Sequence, residues 1–124
     1  MAHWLDRNGP IDICILGLGK NGHVAMNEPA PELQAGVHVA TLAPSSLKHA
    51  LLRDLKTKPR FGFTLGMGDI LRSRKVLLLV SGRPKRTVLK KLRAPSVSTY
   101  FPASLLWLHS DATILCDQEA AKTP

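Results

Sequence analysis

One glycine-rich stretch of the 124-residue chain leads into residues that could move a proton. A histidine imidazole ordinarily changes its charge near neutral pH, so His23 could act as a general acid or base, and a carboxylate such as Glu28 can fix the tautomer of an imidazole and stabilise its charged form. On a continuous helix, residues five apart point about 140° away from one another. The two side chains therefore meet only if the chain turns between them, and Asn27 and Pro29 favour such a turn.

Three glycines, Gly17, Gly19 and Gly22, precede this pair and follow an apolar segment. Glycine lets the backbone approach a ligand closely, and the N–H groups of such a loop bind anions. A dinucleotide site with this Gly-x-Gly-x-x-Gly pattern needs a long crossover helix and an acidic residue about 20 positions further on. Pro29 ends any helix within two turns, and residues 37–39 contain no acid, so a nucleotide site is the less favoured interpretation.

The elements that position these residues are predicted from the hydrophobic pattern. Strands are predicted over Ile11–Leu16, Val37–Leu42, Phe61–Leu65, Lys75–Val80 and Ala112–Cys116. The first and fourth are nearly continuous apolar runs, which is typical of strands buried on both faces of a parallel sheet. Helices are predicted over Ser45–Leu55, Pro84–Leu92 and Pro102–Leu108.

This alternation of strands and helices predicts one α/β domain over residues 1–124, Rossmann-like, with three α/β/α layers around a mostly parallel sheet. Only about ten residues precede the first strand. We therefore expect the sheet to be covered on one side only, or the chain to form part of a larger domain truncated on its N-terminal side.

The charge is concentrated in one part of the chain. Overall, 17 Lys and Arg oppose 9 Asp and Glu, but the span from Lys48 to Arg93 holds 14 basic residues against Asp54 and Asp69. Such a span could follow a nucleic-acid backbone, or form a solvated surface with one phosphate pocket in it. No zinc-finger spacing or paired aromatic motif accompanies it, so we expect no nucleic-acid partner.

Other function classes find little support in the sequence. No apolar run approaches the roughly 20 residues of a membrane span, and the first ten residues lack a signal-peptide core, so we expect a cytoplasmic protein without a membrane partner. Cys14 and Cys116 lie in apolar runs and are predicted to be small buried hydrophobes, with no metal site. His109 follows an apolar segment and could line the cleft in which the ligand of the glycine-rich stretch would bind.

Residues 16–29, Leu-Gly-Leu-Gly-Lys-Asn-Gly-His-Val-Ala-Met-Asn-Glu-Pro, resemble the signature of the glucosamine-6-phosphate deaminase/isomerase family. The resemblance continues, in order, through residues 63–71, 76–82 with Lys85, and 101–109. The Gly-Lys-Asn-Gly-His variant is most similar to the galactosamine-6-phosphate isomerase branch. The 6-phosphogluconolactonases share the fold and a related motif, and a hydrolase of that kind is a further alternative.

The resemblance implies a reaction and a role for each matching residue. A hexosamine 6-phosphate is opened, isomerised between C1 and C2, and loses ammonia to give a ketose 6-phosphate, without metal or cofactor. His23 would be the ring-opening acid/base and Glu28 its orienting carboxylate. Gly17 and Gly19 would lie against the sugar, and the ammonium of Lys85 would contact the phosphate.

The sequence departs from the family pattern in three respects. Asn21 stands where the family has a catalytic aspartate, and an amide can hold the wrong imidazole tautomer. Leu47 stands where a phosphate-contacting arginine is expected, and neighbouring Lys48 or Arg53 could replace it. The chain matches only the C-terminal part of the family, without counterparts of its Gly-x-Ser/Thr-Pro phosphate loop and of the aspartate that removes the C2 proton.

The third departure leaves a second hypothesis open. The chain could be a non-catalytic remnant that binds sugar phosphates, or a half-enzyme that needs a complementing N-terminal chain. Homo-oligomerisation is also possible, because a truncated sheet exposes surface that favours association.

Overall fold

The computed structural model describes residues 1–42, 44, 56–57 and 59–122. In chain order its helices and strands are α1 (Ala2–Asn8), β1 (Ile13–Gly17), β2 (His38–Thr41), β3 (Phe61–Thr64), α2 (Met67–Arg72), β4 (Lys75–Val80), α3 (Arg86–Leu92), β5 (Ala112–Cys116) and α4 (Gln118–Ala121), with 3-10 turns at Arg83–Lys85 and Pro102–Leu108. The predicted helix over Ser45–Leu55 lies outside the described residues.

Three of the five predicted strands form one parallel sheet in the order β1-β4-β5. The predicted α/β class with a parallel sheet is thereby confirmed. The other two strands are a correction, because β2 and β3 pair with each other in a separate antiparallel ladder. Phe61 and Phe63 of β3 alternate with Gly62 and Thr64, and an antiparallel pair tolerates the one exposed face that this alternation produces.

The core lies on one face of the parallel sheet. Cys14 and Leu16 of β1 and Val76, Leu78 and Val80 of β4 point into it, and each is less than 10% exposed. The helices and 3-10 turns that cover this face contribute the buried side chains of Ile70, Val88, Leu89, Leu92, Leu106 and Ala120. The described residues thus build two of the three predicted layers.

The opposite face of the sheet is open to solvent. Ile13 and Ile15 of β1 are 55% and 63% exposed, and Leu79 of β4 is 47% exposed. The prediction that β1 and β4 are buried on both faces is therefore wrong within the described residues, whereas the expected one-sided sheet is confirmed. Cys116 is exposed as well, contrary to prediction, because it ends a strand at the sheet edge.

The helical predictions hold where the structure describes them. A 3-10 turn at Arg83–Lys85 leads into α3 and together they account for the helix predicted over Pro84–Leu92. The segment Pro102–Leu108 is a 3-10 helix rather than an α-helix. The helices α1, α2 and α4 were not predicted from the sequence. Within the described part of the chain, no helix is long and apolar enough to span a bilayer.

The two faces of β4 give a direct test of the one-sided core. Leu78 is 1% exposed, so Leu78→Ala removes a fully buried side chain and should lower the free energy of unfolding by about 2–5 kcal/mol. Leu79→Ala, on the neighbouring residue of the open face, should cost about 1 kcal/mol or less. Urea denaturation of both variants measures the difference, and equal losses would contradict a core confined to one face.

Candidate active site

The glycine-rich loop is a tight reverse turn at the carboxyl end of β1. Leu18 and Val24 face each other in an antiparallel bridge, and the N–H of Gly19 donates to the carbonyl of His23 at 2.9 Å. The N–H of Gly22 closes the turn on the carbonyl of Gly19 at 3.0 Å. The turn therefore sets His23 beside the end of the strand, where open α/β sheets bind their ligands.

Gly22 fits where no other residue would. Its φ is +89°, a left-handed conformation that L side chains rarely adopt, and a Cβ there would lie 2.0 Å from the ring of Phe101. Its carbonyl also accepts a hydrogen bond from the N–H of Ala103 at 2.8 Å. This glycine thus anchors the loop to the segment around the 3-10 helix Pro102–Leu108.

A second turn brings His23 and Glu28 together. Ala25 adopts a left-handed φ of 52°, and the N–H of Asn27 returns to the carbonyl of Val24 at 3.0 Å. The Nδ1 atom of His23 consequently lies 3.5 Å from Oε2 of Glu28. The turn predicted between these residues is present, and it places the carboxylate within reach of the imidazole.

The side chain of Asn21 bridges the two groups. Its Nδ2 atom donates to Oε2 of Glu28 at 2.7 Å, and its Oδ1 atom lies 2.7 Å from Nδ1 of His23. The same Oδ1 accepts the backbone N–H of His23 at 3.1 Å. Carboxylate, carboxamide and imidazole therefore form one chain of hydrogen bonds.

This chain determines the tautomer of the imidazole. A backbone N–H can only donate and a carboxylate oxygen can only accept, so the carboxamide of Asn21 must point its oxygen at His23 and its nitrogen at Glu28. An oxygen acceptor facing Nδ1 of His23 requires the proton to be on that nitrogen. The neutral ring then has its lone pair on Nε2, which is the nitrogen suited to accept a proton from a ligand. The tautomer concern raised by the aspartate-to-asparagine change does not apply to this geometry.

Gly19 makes room for the imidazole. A Cβ at this position would lie 2.3 Å from Nδ1 of His23, well inside van der Waals contact. Gly17 differs, because a Cβ there would meet nothing within 4 Å. Gly19 therefore leaves room for the imidazole of His23, whereas Gly17 leaves the end of β1 open.

Lys85 reaches the same loop from the neighbouring strand. It lies in the 3-10 turn after β4, and its Nζ atom donates to the carbonyl of Leu18. The turn is held by Asp117, whose carboxylate accepts the N–H of Gly82 at 2.9 and 3.1 Å. Because β1 and β4 are adjacent and parallel, their carboxyl ends bring this ammonium and the imidazole to one edge of the sheet.

The electrostatics around Lys85 favour an anion. Burial of its ammonium lowers the pKa of Lys85, and the positive charge of Lys20 lowers that pKa further. Both effects disfavour the charged form, and a bound anion would offset them. Lys20, which belongs to the glycine-rich loop, was not among the sequence-predicted site residues.

Asn27 is a second residue that the sequence analysis did not assign to the site. It is 2% exposed, and its Nδ2 atom donates to the carbonyls of Leu65 at 2.9 Å and Val24 at 3.2 Å. These bonds tie the loop that bears Glu28 to the segment after β3. The Asn-Glu-Pro motif could have indicated this role, because an amide is suited to bridging two backbone segments.

His109 does not belong to this group. Its Nε2 atom lies 2.7 Å from the carbonyl of Ser73, and its Nδ1 atom accepts the N–H of Asp111 at 2.9 Å. Ser73 precedes β4, so this histidine sits at the opposite end of the sheet and joins two strand starts. The prediction that it lines the cleft is therefore wrong. Lys48 and Arg53, the two residues that could replace the expected phosphate-contacting arginine, lie outside the described residues.

Several basic residues of the described chain are paired with acidic side chains. Four of them form ion pairs, which are Arg72 with Asp69, Arg74 with Asp12, Lys75 with Asp111 and Arg86 with Glu119.

Over residues 1–42, 44, 56–57 and 59–122, no three His, Cys, Asp or Glu side chains come together as they would around a metal ion.

Comparison with known proteins identifies the family. Residues 1–115 match the family described as glucosamine-6-phosphate isomerases/6-phosphogluconolactonase. The chain belongs to this family. Within it, the Escherichia coli (strain K12) protein named "Putative deaminase AgaI" is 45% identical over 111 residues, which are 90% of this chain and 44% of that protein. Glucosamine-6-phosphate deaminase 1 of Bacillus subtilis (strain 168) is 41% identical over 120 residues, 94% of this chain and 49% of the relative.

Solved structures of the family agree with the fold. A monomeric glucosamine-6-phosphate deaminase is 38% identical, with a TM-score of 0.89, and the match covers 97% of this chain and 51% of that one. The 6-phosphogluconolactonase from Trypanosoma cruzi is 27% identical, with a TM-score of 0.69 and coverage of 90% and 40%. The chain thus spans about half the length of the relatives it matches.

The close approach at Gly19 predicts a local effect on His23. Gly19→Ala should displace the imidazole, because the added methyl group overlaps it, and so break the hydrogen bond to Asn21. The ring-nitrogen resonances of His23 in NMR spectra report this change. Gly36→Ala is the matched control, since a Cβ there meets nothing within 4 Å and φ is not left-handed. A His23 signal that stays unchanged in Gly19→Ala would contradict the packing described here.

Proposed function

We propose that this chain supplies the ring-opening acid/base and a phosphate-binding lysine to a hexosamine-6-phosphate deaminase/isomerase site. The observation that carries the proposal is the hydrogen-bonded chain from Glu28 through Asn21 to His23, set beside Lys85 at the carboxyl ends of adjacent parallel strands. The named relatives at 41% and 38% identity, both glucosamine-6-phosphate deaminases, support the same assignment.

The tautomer of His23 suits ring opening. Nε2 takes the proton from the O1 hydroxyl of the cyclic sugar as the C1–O5 bond breaks, and it returns that proton to O5. C1 becomes an aldehyde carbon, O5 becomes a hydroxyl, and the imidazole is regenerated. During the transfer the imidazolium is stabilised by Glu28, whose carboxylate lies 3.5 Å from Nδ1.

Lys85 is suited to hold the 6-phosphate. Its ammonium is a compact charge, and with Lys20 it raises the local positive potential at the strand ends. The open space at Gly17 lets a sugar ring approach the backbone of β1 closely. The phosphate contact would fix the sugar, so that O1 and O5 come within reach of the imidazole.

Isomerisation requires a further group. Moving a proton between C2 and C1 of the opened sugar needs a base, and we assign that role to no side chain of the described residues. The proposal is accordingly for part of a site. A 6-phosphogluconolactone hydrolase is the competing reaction within the family, and the assays below include its substrate.

Lys85 should control phosphate binding. Lys85→Gln should weaken binding of glucosamine 6-phosphate and galactosamine 6-phosphate by about 10–100-fold, because a charge-assisted hydrogen bond is lost. Titration followed by NMR measures the affinity of the chain without requiring turnover. Lys90→Gln, in the exposed part of α3, is the matched control and should change the affinity little.

The same titration has a predicted pH dependence. The ammonium is the form that binds phosphate, so affinity falls as pH rises through the pKa of Lys85, which lies below the ordinary lysine value. Lys20→Gln removes one cause of that lowering, so the loss of affinity should move to higher pH. A profile that is identical in Lys20→Gln would contradict the coupling of these two lysines.

Turnover tests the role of His23. In preparations that release ammonia from either hexosamine phosphate, His23→Ala should lower kcat by about 10²–10⁴-fold, the usual contribution of a general acid/base. Asn21→Leu should cause a comparable loss because Nδ1 is no longer held, whereas Asn21→Asp keeps an acceptor there and should retain most of the activity.

Two outcomes would overturn the proposal. One is a protein that binds both hexosamine phosphates no better than inorganic phosphate. The other is hydrolysis of 6-phosphogluconolactone without ammonia release from either amino sugar, which would favour the lactonase side of the family.

A further inference from the structure

The open face of the parallel sheet is a mostly apolar surface. Its side chains come from alternate positions of the three strands. The apolar ones are those of Ile13, Ile15, Leu77, Leu79 and Leu115, and the polar ones are Lys75, opposite Ile13, and Thr113, opposite Leu77. The register sets these residues in adjacent rows, because Ile15 is opposite Leu77 and Leu79 is opposite Leu115. We call this set the open sheet face.

Such a face is unusual for this type of sheet. Parallel sheets occur almost only where both faces are covered, because their strands are apolar on both sides. Here Ile13, Ile15, Leu79 and Leu115 are 55%, 63%, 47% and 51% exposed. A contiguous exposed patch of this kind marks an interaction surface.

The comparisons indicate what covers the face. The monomeric deaminase matches this backbone with a TM-score of 0.89, yet this chain accounts for only 51% of it. Because that relative is monomeric, any cover for its equivalent face comes from its own chain, of which about half lies outside the match. A second copy of the present chain would instead present the same helix-covered and open faces, without the missing half.

The open face also reaches the candidate active site. Gly17 continues the alternation of Ile13 and Ile15 and lies opposite Leu79 at the end of the strands. A side chain at Gly17 would meet nothing within 4 Å. A layer that covers the open sheet face would therefore border the site at this glycine, where it could contribute further groups.

We infer that the open sheet face binds a polypeptide equivalent to the half of the deaminase domain that this chain does not match, and that the completed site lies at the seam beside Gly17. The inference rests on family membership and on the exposed surface. It deepens the proposed function by naming the source of the remaining site residues.

The test uses a defined partner. The segment of Bacillus subtilis glucosamine-6-phosphate deaminase 1 that this chain does not match is co-expressed with the intact chain, and the mass of the product is measured by native mass spectrometry. We expect a one-to-one complex. Ile15→Lys and Leu115→Lys should each reduce its yield at least about tenfold, because a buried charge opposes docking.

The control is Val97→Lys, another exposed aliphatic position, 46% exposed and outside the sheet. It should leave the complex intact. Circular dichroism of each variant without the partner should match the unaltered chain, since the substituted side chains are exposed there. Two separate positions on the face guard against an effect of one substitution on folding.

Three results would overturn the inference: no complex, a complex equally sensitive to Val97→Lys, or a symmetric dimer of the chain that Ile15→Lys dissociates. Ammonia release by the complex, assayed separately, distinguishes the two proposals. A complex that forms through this face but releases no ammonia from either hexosamine phosphate leaves the inference standing and counts against the proposed function.

Discussion

The carboxamide of Asn21 is the contact on which the candidate site depends. It accepts from the backbone and ring of His23 and donates to Glu28, so a single side chain fixes the imidazole tautomer and the position of the carboxylate. Its own position follows from the reverse turn that Leu18 and Val24 close. Backbone geometry at the carboxyl end of β1 thus sets the arrangement of these three side chains.

That geometry tolerates little change in residue size. Gly22 requires a left-handed conformation against the ring of Phe101, and Gly19 lies under the imidazole. Asn27 joins the loop to the carbonyl of Leu65. Each of these contacts brings a distant segment onto the glycine-rich loop, and together they hold a short stretch of chain that has no helix or strand of its own. The loop is therefore positioned by tertiary contacts rather than by secondary structure.

The same sheet that builds the site also leaves half of its surface uncovered. One face packs Leu78 and its neighbours against the helices, while the other exposes Ile15 and Leu79. An apolar parallel sheet with one open face has a strong tendency to associate, since burying apolar surface is favourable by about 25 cal/mol per Å². This surface and the proposed part of a site both belong to a chain that spans about half the length of the relatives it matches.

The sequence by itself determined the strands, the helices over residues 84–92 and 102–108, and the family, because apolar runs and a glycine-rich motif are local patterns. It also placed His23 and Glu28 at the end of a strand. Tertiary structure alone decided that β2 and β3 form their own antiparallel pair, that Cys116 is exposed, and that His109 joins strand starts away from the site. Those outcomes depend on which segments lie beside one another, which spacing along the chain does not encode. The sequence placed Asn21 in the candidate site, but only the turn showed that its side chain bridges His23 and Glu28, and that Lys20 acts on Lys85 through space.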